Sequence, residues 1–193
     1  MTVRLFAAVV PPSDAVEHLD DFLSVRRAAG DFRWTPADQL HLTLAFMAEV
    51  EEWRADEYVD RLADSLARVP VATVRLAGPV AFPHAADARV LGVGVSPVEE
   101  GGDDVLDRLA TRSRSAAVAS GIEVDGQRFR PHVTVARMRR PGDITSWVRL
   151  LETYSGPQWP AAEVEVVVSH LGEGARGRPR YETLAVVPVG GQG

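Results

Sequence analysis

The hydrophobic positions of this chain follow two periods. Apolar residues three or four positions apart mark four segments as amphipathic helices, and alternating or short apolar runs mark seven segments as strands. Ser13 is predicted to cap the first helix and Gly30 to end it. The predicted strands are about Val3–Val10, Leu40–Met47, Val71–Phe82, Arg89–Val95, Arg130–Arg137, Glu163–His170 and Tyr181–Val189, and the predicted helices are about Ser13–Ala29, Glu52–Val69, Asp103–Ser120 and Ile144–Tyr154.

These predicted elements occur in the same order twice. Each half of the chain contains a helix, a strand that carries a His-x-Thr sequence, a second helix and two further strands. The repetition predicts an α+β fold of two lobes, about residues 1–100 and about residues 101–193, related by a pseudo-twofold axis. Each lobe is too small to be an independent domain, so we expect one bilobal domain over residues 1–193, with exchange of strands between the lobes left open.

The repeated strand sequence is His-x-Thr-x-Ala with an aliphatic residue at each x, in His41–Ala45 and His132–Ala136. Successive side chains of a strand point to opposite faces, so each segment places its histidine and threonine on one face and its aliphatic residues on the other. A single histidine on a half-buried strand is usually structural. Strand formation does not require histidine at matching places in both halves, so the pair indicates a shared site, in the cleft between the lobes.

Composition excludes several kinds of chemistry. The chain has no cysteine, and all 21 of its basic residues are arginine. Thiolate nucleophiles, disulfides and covalent lysyl intermediates are therefore excluded. The N-terminal apolar run is short and lacks a basic leader, and no segment has the apolar length of a membrane span, so we expect a cytoplasmic protein that does not enter membranes. The sequence implies no protein partner.

The distribution of charge restricts the kinds of ligand that we expect this protein to bind. The net charge of −6 argues against nonspecific coating of nucleic acid, but eight arginines lie between Arg108 and Arg140, around the second motif. A local basic patch on an acidic protein suits a small anion or a nucleic-acid end, although solvated surface arginines are the plainer interpretation of any single one.

Paired histidines suit acid–base chemistry on a phosphate. One neutral imidazole accepts a proton from a nucleophile while the other, protonated, donates one to the leaving oxygen, from opposite sides of the phosphorus. The threonine hydroxyls can bind non-bridging oxygens, and an arginine can stabilise the charge without a metal. A metal site is the main alternative, but the motifs lack metal-ligand spacing and carry no carboxylate, so we expect neither metal nor cofactor.

With these two motifs the chain resembles the 2H phosphoesterase superfamily, and within it the RNA 2′,3′-cyclic phosphodiesterases, also called 2′-5′ RNA ligase-like proteins. The similarity covers almost the whole chain, with small departures such as Val135 where the family usually has leucine. It implies a bilobal sheet, mainly antiparallel, with helices outside and a central cleft. The segments that carry it are Arg4–Ala8 with Pro11, Arg33-Trp34, Leu40–Leu44 with Phe46, Phe129–Arg137, and Leu171 with Gly177 and Tyr181.

The resemblance also implies an activity and roles. RNA ends or nucleotides with a 2′,3′-cyclic phosphate would be opened by water to a 2′-phosphate, with His41 as proton donor and His132 as proton acceptor. The residues alone leave these two roles open, because the halves are nearly symmetric. Thr43 and Thr134 would hold the phosphate, and the resemblance adds Arg137.

Three points stay open at this stage. Strict alternation places Arg137 on the face opposite His132, so a strand end or a bulge is needed to return it. Phe6, Phe46 and Tyr181 are candidates for stacking on a base, with the core as the alternative place for each. The alternative functions are 2′-5′ ligation of RNA ends and a nucleotide- or RNA-end-binding module without turnover.

Overall fold

The computed structural model describes residues 1–99 and 102–191. Glu100 and Gly101, where the boundary between the lobes is predicted, lie outside the described residues. The described chain forms one nine-stranded sheet, whose strand pairs are antiparallel, together with four α-helices. The predicted α+β class is thus confirmed. The strands are β1 (Thr2–Val9), β2 (Phe32–Trp34), β3 (Leu42–Glu51), β4 (Thr73–Phe82), β5 (Ala88–Pro97), β6 (His132–Gly142), β7 (Ser155–Pro160), β8 (Glu163–His170) and β9 (Arg180–Pro188), and the helices are α1 (Ser13–Ser24), α2 (Glu52–Leu66), α3 (Gly102–Ala119) and α4 (Thr145–Leu151).

The strand order mixes the two halves of the sequence. It runs β7-β4-β5-β6-β3-β1-β8-β9, and the short β2 pairs with β6. Across its width, one lateral half of the sheet therefore contains β1 and β3 from the first half of the chain with β8 and β9 from the second. The other lateral half contains β4 and β5 from the first half of the chain with β6 and β7 from the second. These lateral halves meet where β3 and β6 pair through Leu42 and Val133.

The helices follow the same division. Helices α2 and α3 pack on each other and against β3, whereas α1 packs against β7 and α4 against β4. The buried face of α2 shows why this sequence forms a helix that docks on a sheet: Tyr58, Leu62 and Leu66, each four positions after the last, are all 0% exposed. Most of the buried apolar side chains form a single cluster between helices and sheet.

Both ends of α1 differ from the prediction. Pro12 occupies the N-cap position of α1, and its carbonyl accepts the N–H of Val16, while Ser13 is the first helical residue and makes no capping bond. The helix ends at Ser24, short of the predicted Ala29, and Arg27–Ala29 forms a separate 3-10 turn. Proline suits the start of a helix because it has no N–H group, and the first N–H groups of a helix have no partner within the helix.

The end of the chain's second half also differs. Helix α4 covers Thr145–Leu151 rather than Ile144–Tyr154, and the strand β7 follows it without having been predicted. Glycine and two prolines in β7 obscure its apolar alternation, and β2 is only three residues long.

No helix in the described part of the chain is long and apolar enough to span a membrane.

Candidate active site

The two His-x-Thr motifs meet at the centre of the sheet. Leu42 pairs with Val133 across β3 and β6, and both side chains are buried in the core. Continuing this antiparallel register by one residue places His41 beside Thr134 and His132 beside Thr43, on the opposite face.

That opposite face is the floor of a cleft of about 270 Å³. All five predicted site residues line it: His41, Thr43, His132, Thr134 and Arg137. The rest of the lining comes from β1, from β2 and the segment after it, from β3, and from the ends of β8 and β9 with the connection between them. These residues are Phe6, Arg33, Trp34, Thr35, Pro36, Gln39, Phe46, Ser169, Arg178, Pro179 and Tyr181.

Both histidines are anchored in the same way. Nδ1 of His41 lies 2.8 Å from the carbonyl oxygen of Gln39, and Nδ1 of His132 lies 2.6 Å from that of Arg130. In each case the carbonyl belongs to the residue two positions earlier. A carbonyl only accepts, so Nδ1 is the protonated nitrogen and Nε2 is the one free to exchange a proton.

Each motif contains a β-bulge at the same position. Ala7 and Ala8 of β1 pair with Ala45 and Thr43 of β3, which leaves Leu44 as the extra residue. In the second motif, Leu91 and Gly92 of β5 pair with Ala136 and Thr134 of β6, so Val135 is the extra residue there. A bulge shifts the alternation by one residue, so the side chains that follow change face.

The shift explains the position of Arg137. Alternation alone directs it away from His132, but after the bulge at Val135 it lines the cleft. The corresponding residue of the first motif is Phe46, which lines the cleft for the same reason.

The carbonyl of each bulged residue receives a hydrogen bond from a distant part of the chain. Nε of Arg114, on α3, donates to the Leu44 carbonyl at 3.2 Å. The backbone N–H of Thr35 donates to the Val135 carbonyl at 2.9 Å. These donors provide hydrogen bonds to carbonyls that are unpaired in the strand-to-strand hydrogen bonding at the bulges, and they stabilise both bulges.

Positive charge is concentrated in this cleft. Arg33 and Arg137 lie directly opposite each other on β2 and β6, and Arg178 enters from the β8–β9 connection, donating to the Trp34 carbonyl at 3.4 Å. Among the described residues that line the cleft there is no carboxylate. Like charges placed side by side destabilise a sheet, so this arrangement favours a bound anion.

The cleft lowers the pKa of both histidines. For His41 and His132 alike, burial is the largest cause, and the hydrogen bond to the backbone carbonyl acts in the opposite direction. The Arg137 guanidinium lowers both pKa values further, and Arg130 lowers that of His132. A bound anion would offset this positive field and favour the protonated imidazole.

The aromatic residues differ in how far they can contact a ligand. Phe6 is 4% exposed, and its ring stacks on His41 with the centroids 4.6 Å apart, so it buttresses the imidazole. Tyr181 meets both rings edge-on, at 5.0 Å from Phe6 and 5.6 Å from His41. Phe46 carries the guanidinium of Arg4 over its ring, at 5.1 Å. Tyr181 and Phe46 are half-buried cleft walls.

Comparison with known proteins places the chain in a family. A model of the 2′-5′ RNA ligase superfamily matches residues 10–173, which is most of the chain. The chain belongs to the 2′-5′ RNA ligase superfamily. The resemblance stated from the two motifs is thereby confirmed.

Two relatives match this chain over most of their own length. A protein of Aeropyrum pernix, named RNA 2′,3′-cyclic phosphodiesterase, is 31% identical over 156 residues, which are 81% of this chain and 85% of that protein. A protein of Escherichia coli K12 with the same name is 30% identical over 181 residues, 94% of this chain and 93% of its own. The crystal structure of E. coli LigT complexed with 3′-AMP matches at a TM-score of 0.74 and 25% identity, covering 98% of this chain and 99% of that one.

Several residues of the cleft were not predicted from the sequence. Arg33 and Arg178 reach the cleft through β2 and the β8–β9 connection, and Gln39 ties that connection down by donating from Nε2 to the Pro179 carbonyl at 2.9 Å. These interactions join residues far apart in sequence, so no local pattern predicts them. For Arg33 the sequence gives one indication of a functional position: this residue belongs to the segment that resembles the family's first motif.

One glycine makes room for the second histidine. A Cβ on Gly92 of β5 would lie 3.0 Å from the carbonyl oxygen of Val133 and 3.1 Å from Cδ2 of His132. Its counterpart on β1, paired with the threonine of the first motif, is Ala8. Gly92, one of the small residues that alternate with Leu91 and Val93, thus has a steric role beside the cleft.

Proposed function

We propose that this chain hydrolyses the 2′,3′-cyclic phosphate at the end of an RNA or nucleotide to a 2′-phosphate, by paired-histidine catalysis without a metal. The observation that carries the proposal is the cleft itself, where two imidazoles, two threonines and three arginines converge and present free Nε2 atoms. The names of the relatives and the 3′-AMP complex of E. coli LigT support a nucleotide phosphate as the ligand.

In this proposal the phosphate binds on the floor of the cleft. Thr43 and Thr134 donate hydrogen bonds to its non-bridging oxygens, and Arg137 pairs with its negative charge. The phosphate then lies between the two Nε2 atoms. That arrangement suits in-line displacement, since the attacking and leaving oxygens occupy opposite sides of the phosphorus.

Proton transfer follows from this placement. His132 accepts a proton from water at Nε2 as the water attacks, and His41 donates one from Nε2 to the 3′ oxygen that leaves. Binding of the anionic phosphate raises the pKa values that the cleft lowers, which supplies the protonated His41 that the reaction needs.

The surroundings of the two histidines support this division of roles. His41 is enclosed by Phe6 and Tyr181, whereas the ring of His132 is flanked by Phe82, beside a second, open cavity. A nucleophile from solvent can therefore reach His132 more readily than His41.

We also expect the protein to act in the cytoplasm.

Product analysis tests the proposal. A short RNA ending in a 2′,3′-cyclic phosphate is incubated with the protein in EDTA, and the product is identified by ³¹P NMR. We expect a 2′-phosphate at the same rate with and without EDTA. A 3′-phosphate product, or loss of activity on chelation, would contradict the mechanism. Joined strands in place of hydrolysed ends would favour the 2′-5′ ligation alternative, and tight binding without turnover would favour a binding module.

A further inference from the structure

A second cavity lies next to His132, outside the cleft described above. It opens beside the end of β4 and the segment that leads into β6. We call it the Phe82 shelf. Its lining residues are Phe82, Asp107, Arg128, Phe129, Arg130 and Pro131.

The shelf is physically joined to the active site through one ring. Phe82 contacts His132, with ring centroids 4.9 Å apart, and on the shelf it carries the guanidinium of Arg130 at 5.3 Å from its centroid. A group bound over Arg130 would therefore lie adjacent to a ligand bound at His132. The Arg130 carbonyl also anchors Nδ1 of His132, so the same residue serves both places.

The chemistry of the shelf suits one nucleoside with its phosphate. An exposed guanidinium plane over an aromatic ring is a surface on which nucleobases stack. Arg128 and Arg130, both exposed, supply positive charge for a backbone phosphate, and Asp107 supplies an acceptor for base N–H groups. On the flank of His41, by contrast, the rings of Phe6 and Tyr181 pack against the imidazole.

We propose that the Phe82 shelf binds a second nucleoside unit of RNA beside His132, so that the preferred substrate is an oligonucleotide rather than a cyclic mononucleotide. The inference rests on the proposed function. Two sources share this chemistry: the body of the strand that carries the cyclic phosphate, and a second strand with a 5′-hydroxyl end that takes the place of water.

Chain-length dependence tests the shelf. The value of kcat/KM is measured for a cyclic mononucleotide and for a trinucleotide ending in a cyclic phosphate, with the wild type, R128Q, R130Q and the double variant. The ratio of the two kcat/KM values is the readout. Arg130 also lowers the pKa of His132, and this effect should change kcat/KM for both substrates by the same factor, so it cancels in the ratio. Arg149→Gln, which neutralises an exposed arginine on α4, is the matched control.

We expect the wild-type ratio to be about tenfold, in the range of one stacked base. The double variant should bring the ratio close to one. It should also reduce the salt dependence of the trinucleotide reaction, by a slope of about 0.7 for each RNA phosphate that the arginines no longer neutralise. Arg149→Gln should leave the ratio unchanged.

A second arm separates the two sources. A trinucleotide with a 5′-hydroxyl and no cyclic end is added, and joined and hydrolysed products are counted. If the shelf holds the second strand, R128Q and R130Q lower the joined fraction and leave the length ratio at its wild-type value. If neither the length ratio nor the joined fraction depends on these arginines, the inference is wrong.

A binding measurement keeps this result separate from the proposed function. Fluorescence anisotropy of a labelled trinucleotide ending in a 3′-phosphate requires no turnover. Weaker binding in the double variant, about tenfold, would support the shelf even if no cyclic phosphate were hydrolysed. Equal binding by the wild type and the double variant would exclude the body of the cyclic-phosphate strand as the occupant, and together with an unchanged joined fraction it would overturn the inference even if hydrolysis were fast.

Discussion

At the scale of single residues, backbone hydrogen bonds determine which nitrogen of each imidazole is free. Each Nδ1 donates to a carbonyl two residues earlier, which directs Nε2 into the cleft. Because burial and Arg137 lower both pKa values, both rings are mostly neutral at pH 7 until an anion binds. The histidine and threonine positions follow from sequence, because alternation is a local property. The carbonyl partners do not, since they depend on where the chain turns before each motif.

The pH dependence of kcat/KM tests this arrangement. The profile should be bell-shaped, with its optimum below the ordinary histidine pKa of 6.5, because it reports the free enzyme. Arg137→Gln removes a cation that lowers both pKa values, so the optimum should move to higher pH, together with an increase in KM.

Arg33→Gln is the control for that shift. Arg33 lines the same cleft, but it is not among the groups that lower either histidine pKa. It should raise KM and leave the optimum in place. An Arg137→Gln optimum equal to the wild type, or moved to lower pH, would contradict the assigned electrostatics.

At the scale of elements, the bulges decide which side chains reach the cleft. The sequence predicts both motif strands, yet alternation alone places Arg137 on the wrong face. The bulge at Val135 depends on pairing with β5 and on the N–H of Thr35, which are both distant in sequence. The resemblance to a family implies a substrate-binding role for Arg137, and the bulge gives the physical reason that this residue lines the cleft.

Gly92 on β5 provides a test at this scale. Gly92→Ala should displace the His132 imidazole, because the new methyl group would meet its Cδ2 at 3.1 Å. We expect kcat/KM to fall by about tenfold to a hundredfold, the effect of a small misplacement of a reacting group. The melting temperature, measured by circular dichroism, should fall by only a few degrees.

Gly126→Ala is the corresponding control. A Cβ at this exposed position would have no neighbour within 4 Å, so activity and melting temperature should both stay at the wild-type values. Wild-type kcat/KM in Gly92→Ala would show that close packing against His132 is not needed.

At the scale of the whole molecule, the candidate active site lies where the two halves of the chain interleave. Strand β6 of the second half lies between β5 and β3 of the first, and β1 lies between β3 and β8. The order helix, His-x-Thr strand, helix, strand, strand is predicted for both halves because each copy is local, but β7 adds a third strand after α4 in the second half. Strand order, and the positions of β2 and β7, cannot be predicted in this way, because they are set by pairing between distant segments.

This interleaving predicts the behaviour of fragments. Residues 1–99 expressed alone should not fold, because β1 loses β8 and the β3–β6 junction is absent. Circular dichroism should show no cooperative unfolding transition for the fragment and a single transition for the full chain. A fragment with its own sharp transition would mean that one half of the chain is an independent domain.

The central claim is that His41 and His132 act as an acid–base pair on a cyclic phosphate. Its most direct test is the initial rate of 2′-phosphate formation from a short cyclic-phosphate RNA in EDTA, for the wild type, His41→Ala and His132→Ala. The exposed His84, changed to alanine, is the control and should keep the wild-type rate. Each cleft variant should lose about a thousandfold in rate with an unchanged melting temperature, since each removes one acid–base group. A cleft variant that folds and keeps its rate within tenfold of the wild type would contradict the claim.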